Sequence, residues 1–340
     1  MTSVTVSIVL HESAADIGTC LEGVAWQTRP VDRIVVIDNA STDGGLDIVR
    51  ALAPEATIER SAVNAGFAAA QNRALRLAPA DVHVLLNPDC RLSPAFIEHA
   101  TSALAIDPSA GSVSGRLLRF RAGTDGAEPG PPDELPDDRL DSTGMVGLRN
   151  RRVLDRGADT PAAGRYLEPG YVLGVSGAAA VYRRATLEDI AFKGEVFDES
   201  FFAFREDVDL AWRAQLLGWR CRYEPRAVAR HRRRVTPERR RDLPASLRRR
   251  SVANRWRMLA KNELPSGWRR DWTSILWRDL QILGYAVLRE QATLPAIVDV
   301  VRDARRLRAR RSDIMRRRVG TDASVLDWFG IDDQRPLDAA

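Results

Sequence analysis

The sequence predicts an α/β fold with a mixed, mostly parallel central sheet flanked by helices. Residues 4–10 (VTVSIVL) and 33–40 (RIVVIDNA) are β-branched runs closed by polar residues, a pattern typical of short buried strands. Between them, residues 14–28 carry apolar side chains at a spacing that puts them on one side of a helix. A strand, a helix and a strand in succession form a β-α-β unit, and such units build parallel sheets.

The second of these strands ends in a carboxylate. Asp38 lies at its C-terminal end, and open α/β sheets bind their ligands at that edge. A carboxylate there can accept hydrogen bonds from a nucleotide. The STDGG segment that follows, residues 41–45, also suits Asp38 to the simpler role of a turn former, so both interpretations stay open.

A third strand is predicted within residues 81–90 (DVHVLLNPDC) and stops at Asn87, because Pro88 cannot continue a central ladder. Asp89 is therefore expected near the same sheet edge as Asp38. A carboxylate at that point is suited to a hard divalent cation that bridges two phosphates. Taken alone, the triplet Asn-Pro-Asp is explained equally well by ordinary turn chemistry.

An acidic helix start lies further along the chain, within residues 197–231. Glu206, Asp207 and Asp209 fall in a first helical turn, where the positive end of the helix dipole favours ionised carboxylates. An apolar stripe follows and the helix is predicted to end at Gly218, with its buried side on a sheet. An ionised carboxylate can act as a base, although helix capping is the commoner reason for such acids.

Taken in order, these segments resemble glycosyltransferase family 2, and most closely its rhamnosyltransferase-like branch. The motifs that carry the resemblance lie within residues 4–262 and are VSIVL, VIDNASTDGG, NAGFAAAQNRAL, LLNPDC, GVSGAAAVYRR and EDVDLAWR. Their combination in this order is far more specific than any one of them. The resemblance implies a GT-A fold, a nucleotide-diphospho-sugar donor, a divalent cation (Mg²⁺ or Mn²⁺) and an inverting single displacement.

The resemblance also implies roles for the polar residues at the sheet edge. Asp38 matches the residue that holds the donor base, and Asn87 and Asp89 match the donor and metal motif, with an amide in place of its first acid. The matching second metal ligand is His231, at the end of YEPRAVARH, which is predicted as a short strand returning to the site. A histidine followed by three arginines is also explained as a surface residue, beside cations that oppose a bound metal ion.

On the acceptor side, Asp207 matches the catalytic base of the family, which takes a proton from the attacking hydroxyl. Glu206 is expected to bind the acceptor or to cap the helix, and Asp209 is expected to be structural. Residues 174–184 (GVSGAAAVYRR) match a segment beneath the sugar and the acceptor, so Ser176 and Gly177 are acceptor-side candidates.

Residues 64–75 (NAGFAAAQNRAL) place small residues near a predicted helix start, which lets a backbone approach a phosphate or nucleoside closely. Asn64, Gly66 and Asn72 are the donor-site candidates in this segment. The alternative is close packing of an alanine-rich helix on the sheet.

Composition bounds the domain organisation. A chain of 340 residues with 44% hydrophobic content predicts one large catalytic domain, residues 1–240, with an arginine-rich helical region, residues 241–340. The Gly-, Pro- and acid-rich residues 121–139 are predicted to form a mobile loop. Three widely spaced cysteines argue against a disulfide framework. With no signal peptide or membrane-spanning run, we expect a cytoplasmic protein, with the inner face of the plasma membrane as an alternative.

The helical region has its own apolar pattern. Its basic residues are arginines apart from Lys261, and the net charge of the chain is +5. An Arg- and Trp-bearing amphipathic helix can rest on an anionic membrane, or its stripe can pack on the catalytic domain or on a second copy in a homo-oligomer. The residues of the stripe are Trp272, Leu276, Leu280, Leu283 and Val287.

The sequence therefore predicts a transferase of L-rhamnose from dTDP-rhamnose to a saccharide or a polyprenyl-diphosphate-linked glycan in cell-envelope polysaccharide synthesis. One alternative is a family member that uses a UDP- or GDP-sugar. Another is a non-catalytic or nucleic-acid-binding arginine-rich protein, although no aromatic-basic RNA motif is present and no nucleic acid is expected. A dinucleotide-dependent oxidoreductase is disfavoured, because HESAADIG replaces the GxGxxG turn after the first strand.

Overall fold

The computed structural model of the chain describes residues 2–120, 138–233, 241–330 and 334–337. Within these ranges the strands are β1 (Val4–Leu10), β2 (Arg33–Asp38), β3 (Thr57–Arg60), β4 (Val82–Leu86), β5 (Cys90–Leu92), β6 (Ala110–Arg119), β7 (Leu140–Ser142), β8 (Met145–Gly147), β9 (Val153–Asp155), β10 (Gly170–Val172), β11 (Ala179–Arg183) and β12 (Arg220–His231). The α-helices are α1 (Ala14–Ala25), α2 (Gly45–Leu52), α3 (Phe67–Leu77), α4 (Phe96–Ile106), α5 (Arg184–Ile190), α6 (Glu206–Leu216), α7 (Ala245–Asn262), α8 (Pro265–Arg289), α9 (Ala296–Arg302), α10 (Ala304–Arg317) and α11 (Asp322–Leu326).

The central sheet follows the strand order β10-β12-β6-β11-β4-β1-β2-β3, with β5 and β7 paired to β12 and β6 off this path. Strands β1, β2, β3, β4, β6 and β12 run in one direction, whereas β10 and β11 run against them. The predicted β-α-β unit is confirmed, since β1 and β2 pair in parallel and α1 connects them. The predicted mixed, mostly parallel sheet is confirmed as well.

Strand register sets the edge at which polar residues leave the sheet. Leu10 at the end of β1 pairs with Asp38 at the end of β2, and Ile8 pairs with Leu86 at the end of β4. The C-terminal ends of these three parallel strands therefore lie side by side. Asp38 and Asn87 emerge at one edge, as predicted for ligand-binding residues of such a sheet.

Both faces of the sheet are covered by helices. On one face, Val84 of β4 packs in a core with α1 and α4, whereas its neighbour Leu85 points into the core on the opposite face. This alternation follows the two-residue period of a strand. The alanine-rich helix α3 lies close against the sheet, because Ala70 and Ala74 pack on Ile37 and its neighbours.

The helices after residue 240 share a core with α6. Val208 and Trp212 of α6 pack with Met258 of α7 and with Phe329 beyond α11, and the rings of Trp212 and Phe329 lie 4.6 Å apart. The predicted apolar stripe of α6 is therefore buried against this region as well as against the sheet. Asn254 of α7 adds hydrogen bonds to the carbonyls of the segment that precedes α6.

Some predictions need correction or lie outside the described ranges. The strand leading to His231 is not short: β12 has 12 residues and pairs with β5, β6 and β10. Of the predicted mobile loop, residues 121–137 lie outside the described residues. All three cysteines are buried free thiols, as expected. In the part of the chain that the structure describes, no helix is long and apolar enough to cross a bilayer.

Candidate active site

A cavity of about 340 Å³ opens beside the C-terminal ends of β4 and β12 and the start of α6. It brings together residues that are far apart in the chain and that belong to the donor, metal and acceptor sets predicted from the sequence. Seven of the predicted site residues line it: Asn87, Asp89, Ser176, Gly177, Glu206, Asp207 and His231.

The chain leaving β4 is tied to both neighbouring segments. The backbone N–H of Asn87 donates to the carbonyl of Ala178 at 2.8 Å, and Arg232 N–H donates to the carbonyl of Asp89 at 3.0 Å. These bonds place the side chains of residues 87 and 89 between the segment of Ser176 and the end of β12. The local fold therefore turns a strand terminus into one wall of the cavity.

His231 lies between two carboxylates. Its Nε2 is 3.3 Å from Oδ1 of Asp89, and its Nδ1 is 2.7 Å from Oδ2 of Asp141. Burial alone would lower the pKa of His231, but the hydrogen bonds and charges of Asp141 and Asp89 raise it to about 9. Asp141 is fully buried on β7. Sequence analysis missed Asp141, because its three-residue strand carries no motif.

The pair of Asp89 and His231 fits a divalent cation, which would take the place of the proton that the raised pKa keeps on His231, because a ligating imidazole is neutral. Neighbouring ligand atoms of an octahedral cation with bonds of about 2.1 Å lie about 3 Å apart, close to the separation in this pair. Metal-binding histidines commonly hold their second ring nitrogen on a carboxylate, as His231 does on Asp141. In the described residues, no group of three or more His, Cys, Asp or Glu side chains could hold an ion. Diphosphate oxygens and water would have to complete the coordination.

The first two arginines after His231, Arg232 and Arg233, are paired with carboxylates. Arg233 contacts Asp141 at 2.6 Å and Asp155 at 2.7 Å, and Arg232 lies 3.1 Å from Asp16. Their charges are thus offset by carboxylates, which removes much of the predicted repulsion of a bound cation. The third arginine of the run, Arg234, lies outside the described residues.

Asp207 lies at the start of α6 and faces the Ser-Gly segment. Its Oδ1 accepts the N–H of Val208 at 2.8 Å, and its Oδ2 accepts the N–H of Gly177 at 3.2 Å. Burial raises the pKa of Asp207, against these two backbone bonds, which lower it. The carboxylate is held in a fixed orientation on the cavity wall, which is what a general base requires.

Glu206 differs from its neighbour because its Oε2 is buried without a hydrogen-bond partner among the described residues. Burial, and then the charge of Asp207, raise the pKa of Glu206 to about 8. A carboxyl group in this state can donate a hydrogen bond to a ligand at neutral pH. Asp209 is structural, as expected, and is buried against Arg213, Lys261 and Asn262.

The other four predicted residues do not line the cavity. Asp38 is fully buried, accepts the N–H of Ser41 at 2.9 Å and lies 3.1 Å from Arg60. Asn64 accepts hydrogen bonds from Asn39 and from the backbone of Gly66. These bonds fix the loops after β2 and β3 at the same sheet edge, next to the cavity.

Asn72 and Gly66 have structural surroundings that the sequence did not indicate. Both ends of the buried Asn72 amide are used: it donates to Phe197 O and Glu199 Oε1, and accepts from Phe197 N–H. Gly66 has φ +88°, and a Cβ there would lie 2.5 Å from the ring of Phe202. The structure therefore gives Asn72 a bracing position and Gly66 a close-packing position.

A model of the family described as glycosyl transferase family 2 matches residues 5–190, more than half of the chain. The chain belongs to glycosyl transferase family 2. It is a glycosyltransferase, and the cavity described above is the candidate active site of this transferase.

Relatives of this transferase are distant in sequence. It is 28% identical over 160 residues to the uncharacterized glycosyltransferase YibD of Escherichia coli, a match that covers 44% of each chain. It is 27% identical over 216 residues to the N-acetylglucosaminyl-diphospho-decaprenol L-rhamnosyltransferase of Mycobacterium tuberculosis, covering 60% of this chain and 67% of the relative. The transferase thus spans less than half the length of YibD and about two thirds of the mycobacterial enzyme.

Solved structures support the fold. The mannosyltransferase PcManGT of Pyrobaculum calidifontis, in complex with GDP-Man and Mn²⁺, matches with a TM-score of 0.51 and 19% identity, covering 96% of this chain and 86% of that one. At this identity the likeness shows the GT-A fold alone. The fold inferred from the sequence is thereby confirmed, including a match that extends into the helical region.

Proposed function

We propose that this transferase is an inverting, divalent-metal-dependent enzyme that moves L-rhamnose from dTDP-rhamnose to a hydroxyl of a saccharide or polyprenyl-diphosphate-linked glycan in cell-envelope polysaccharide synthesis. The observation that carries the proposal is a single cavity that holds both the Asp89–His231 pair and the carboxylate of Asp207. The rhamnosyl donor and the lipid-linked acceptor come from the name of the mycobacterial relative. The metal dependence also draws on the Mn²⁺ bound by PcManGT.

In this proposal, Asp207 takes the proton of the acceptor hydroxyl as its oxygen forms a bond to the anomeric carbon. The bond from that carbon to the diphosphate breaks in the same step, so the configuration inverts and the electron pair leaves with dTDP. Two backbone N–H groups hold the carboxylate of Asp207 in one orientation, while burial keeps it basic. A divalent cation bound by Asp89 and His231 would supply charge for the departing diphosphate.

The other predicted residues divide between the two substrates. Asp38 and Asn64 lie at the sheet edge beside the cavity and are proposed to hold the nucleoside, with Asn87 beside the diphosphate. The side chain of Glu206 and the Ser176–Gly177 segment face the acceptor. The carboxyl oxygen of Glu206 that has no hydrogen-bond partner among the described residues suits a hydrogen bond to a sugar hydroxyl.

The donor is tested by calorimetric titration of UDP-, GDP- and dTDP-sugars, each with Mn²⁺ and with EDTA. We expect binding of dTDP-rhamnose that EDTA abolishes. Metal-dependent preference for a UDP- or GDP-sugar would discard rhamnose and keep the transferase. Binding unaffected by EDTA would remove the metal from the proposal.

We further propose that the outer face of α8 contacts an anionic membrane surface. The apolar stripe predicted from the sequence does not pack on the catalytic domain: it faces outward, and Trp272 and Leu280 are each 51% exposed. Monomeric proteins rarely expose a continuous apolar face of this kind. Further exposed apolar residues of α8 are Trp268, Leu276, Trp277, Val287 and Leu288.

Charge complementarity favours a membrane over a second copy of the chain. Both acids of α8 are engaged inside the protein: Asp271 is buried against Arg151, and Asp279 contacts Arg255. Exposed arginines, including Arg269 and Arg289, lie on the same helix. An apolar face with arginines and without free acids is suited to anionic lipid headgroups. In this proposal, the transferase acts at the inner face of the plasma membrane.

A further inference from the structure

A second cavity, of about 660 Å³, lies between Arg205, the residue before α6, and the helices α7 and α8. Arg205 lines this cavity, whereas the next two residues, Glu206 and Asp207, line the catalytic cavity. The two spaces therefore meet at one short segment of chain. The second cavity is larger than the catalytic one and falls in the size range of small-molecule sites, about 300 to 1,000 Å³.

The lining of the second cavity is strongly basic. Arg152, Arg205, Arg255 and Arg278 line it, with Glu290 as the one acid among its described lining residues. Arg255 is already committed to Asp279 and to the carbonyl of Asn150. Arg152 is exposed, and none of the ion pairs of the described residues includes it. The net positive charge of this lining suits an anionic ligand with several oxygens.

One wall of this cavity is formed by α8. Arg278, Ile282 and Tyr285 line the space from one flank of the helix, and helical spacing puts the exposed Trp277 and Leu288 next to that flank. Exposed apolar residues of α8 therefore border the cavity on one side, and Arg205, which precedes Glu206 and Asp207, borders it on another. A ligand that spans these features has an anionic group between an apolar chain and a sugar.

We propose that this basic cavity binds the diphosphate of a lipid-linked acceptor, with the lipid chain leaving along α8 and the glycan directed towards Asp207. This inference rests on the proposed function, and names a binding site for the acceptor within it. It assigns Arg152 and Arg278 to the acceptor's diphosphate and leaves the donor diphosphate at Asp89 and His231.

Farnesyl diphosphate is the probe, compared with inorganic pyrophosphate and dTDP in calorimetric titrations of the full chain with EDTA. Farnesyl diphosphate is expected to bind without metal, more tightly than pyrophosphate, and without competition from dTDP. The double variant Arg152→Gln/Arg278→Gln should weaken it about 10- to 100-fold, because each arginine removed takes away a charge-assisted hydrogen bond. Arg308→Gln, at an exposed position on α10, is the matched control and should bind like the wild type.

Metal-dependent donor binding, measured on the same variants, separates the two proposals. Unchanged donor binding with weakened farnesyl diphosphate binding supports the acceptor site. Equal affinity of the double variant and the control, displacement by dTDP, or equal affinity for pyrophosphate and farnesyl diphosphate would each overturn it while leaving the transferase intact. If the wild type does not bind the donor at all, the proposed function itself is wrong. Circular dichroism checks that the variants fold.

Discussion

Asp207 combines a fixed position with a raised pKa, and both follow from its place at the start of α6. We expect Asp207→Asn to lower kcat about 100- to 10,000-fold, the usual contribution of a general base. Donor affinity should stay within a factor of two, because the residue faces the acceptor side. Transfer rates and calorimetric donor titrations measure the two effects. Retained turnover would remove Asp207 from the base role, and Glu206→Gln, expected mainly to raise the acceptor KM, is the control.

Asp141 acts on the site through His231, whose Nδ1 it holds at 2.7 Å. Loss of such a supporting carboxylate typically weakens metal binding about 10- to 100-fold, and we expect this for Asp141→Asn. Titration of Mn²⁺ in the presence of dTDP measures the effect. Asp155→Asn is the control, because Asp155 contacts Arg233 and no contact with His231 is described. An equal loss in both variants would argue that net charge, and not the orientation of His231, decides metal affinity.

These residues show what the sequence can and cannot predict about a site. Asp38, Asn87 and Asp89 were predicted together because strand ends and chain-breaking residues mark the ligand edge of a parallel sheet. Asp141 was missed because its importance depends on a contact with a residue 90 positions away. Asn72 lies in a motif and yet braces Phe197, since a motif does not show which way a buried amide points.

The outward face of α8 gives a prediction about membrane binding. Leu276→Ser/Leu280→Ser should weaken binding to vesicles of phosphatidylcholine and phosphatidylglycerol by at least about tenfold, since a buried Leu side chain is worth about 1.5–3 kcal/mol. Vesicle flotation measures binding, and pure phosphatidylcholine should bind the wild type more weakly. Ile106→Ser, an exposed aliphatic position on α4, is the control. A second copy of the chain would instead be the partner if the wild type does not bind vesicles, is a dimer by light scattering, and becomes a monomer in the double variant.

The start of α3 depends on Gly66, which packs under Phe202. Gly66→Ala should lower the free energy of unfolding by about 1–3 kcal/mol more than Gly44→Ala, because it adds overpacking and because the backbone of Gly66 (φ +88°, ψ 163°) is more strained for a side chain than that of Gly44 (φ +80°, ψ 1°). Both glycines have positive φ, but a Cβ at Gly44 would meet nothing within 4 Å. Denaturant unfolding of the two variants measures the difference. Equal losses of unfolding free energy in the two variants would mean that Phe202 moves aside without a measurable loss of stability.

Helices and strands with a clear period were predictable, whereas their partners were not. The β-α-β unit and the apolar stripe of α6 follow from local patterns. The length of β12 does not follow from a local pattern, because pairing with three other strands keeps the chain extended on both sides of Pro225. The apolar period of α8 also follows from the sequence. Whether its stripe faces solvent or the protein interior does not, because that depends on which side of the helix the rest of the chain covers.

The helices after residue 240 are joined to the chain before them by buried charges as well as by a shared core. Arg151 contacts Glu263 and Asp271, and the buried Lys261 contacts Asp198 and Asp209. Because Asp209 lies in α6 and Lys261 in α7, this link holds the helix that begins with Glu206 and Asp207 against the helical region. Order at Asp207 therefore depends on residues far beyond the family motifs.

Lys261→Met tests this link. Removing one partner of a buried ion pair costs about 3–5 kcal/mol, and we expect that loss of unfolding free energy at pH 7. Exposed Arg316→Met is the control, with a loss below about 1 kcal/mol. Denaturant unfolding at a series of pH values measures both.

The pH dependence has a definite sign. Burial alone would raise the pKa of Asp198 and of Asp209, but Lys261 and nearby arginines hold both below their ordinary range. A lowered folded-state pKa contributes stability that is complete above the ordinary value of about 3.9 and is lost as the pH falls towards the folded value. Without Lys261 these pKa values rise, so the variant should lose less stability than the wild type between pH 5 and pH 3, by about 1 kcal/mol or more. Parallel stability curves would show that Lys261 does not set the ionisation of these carboxylates.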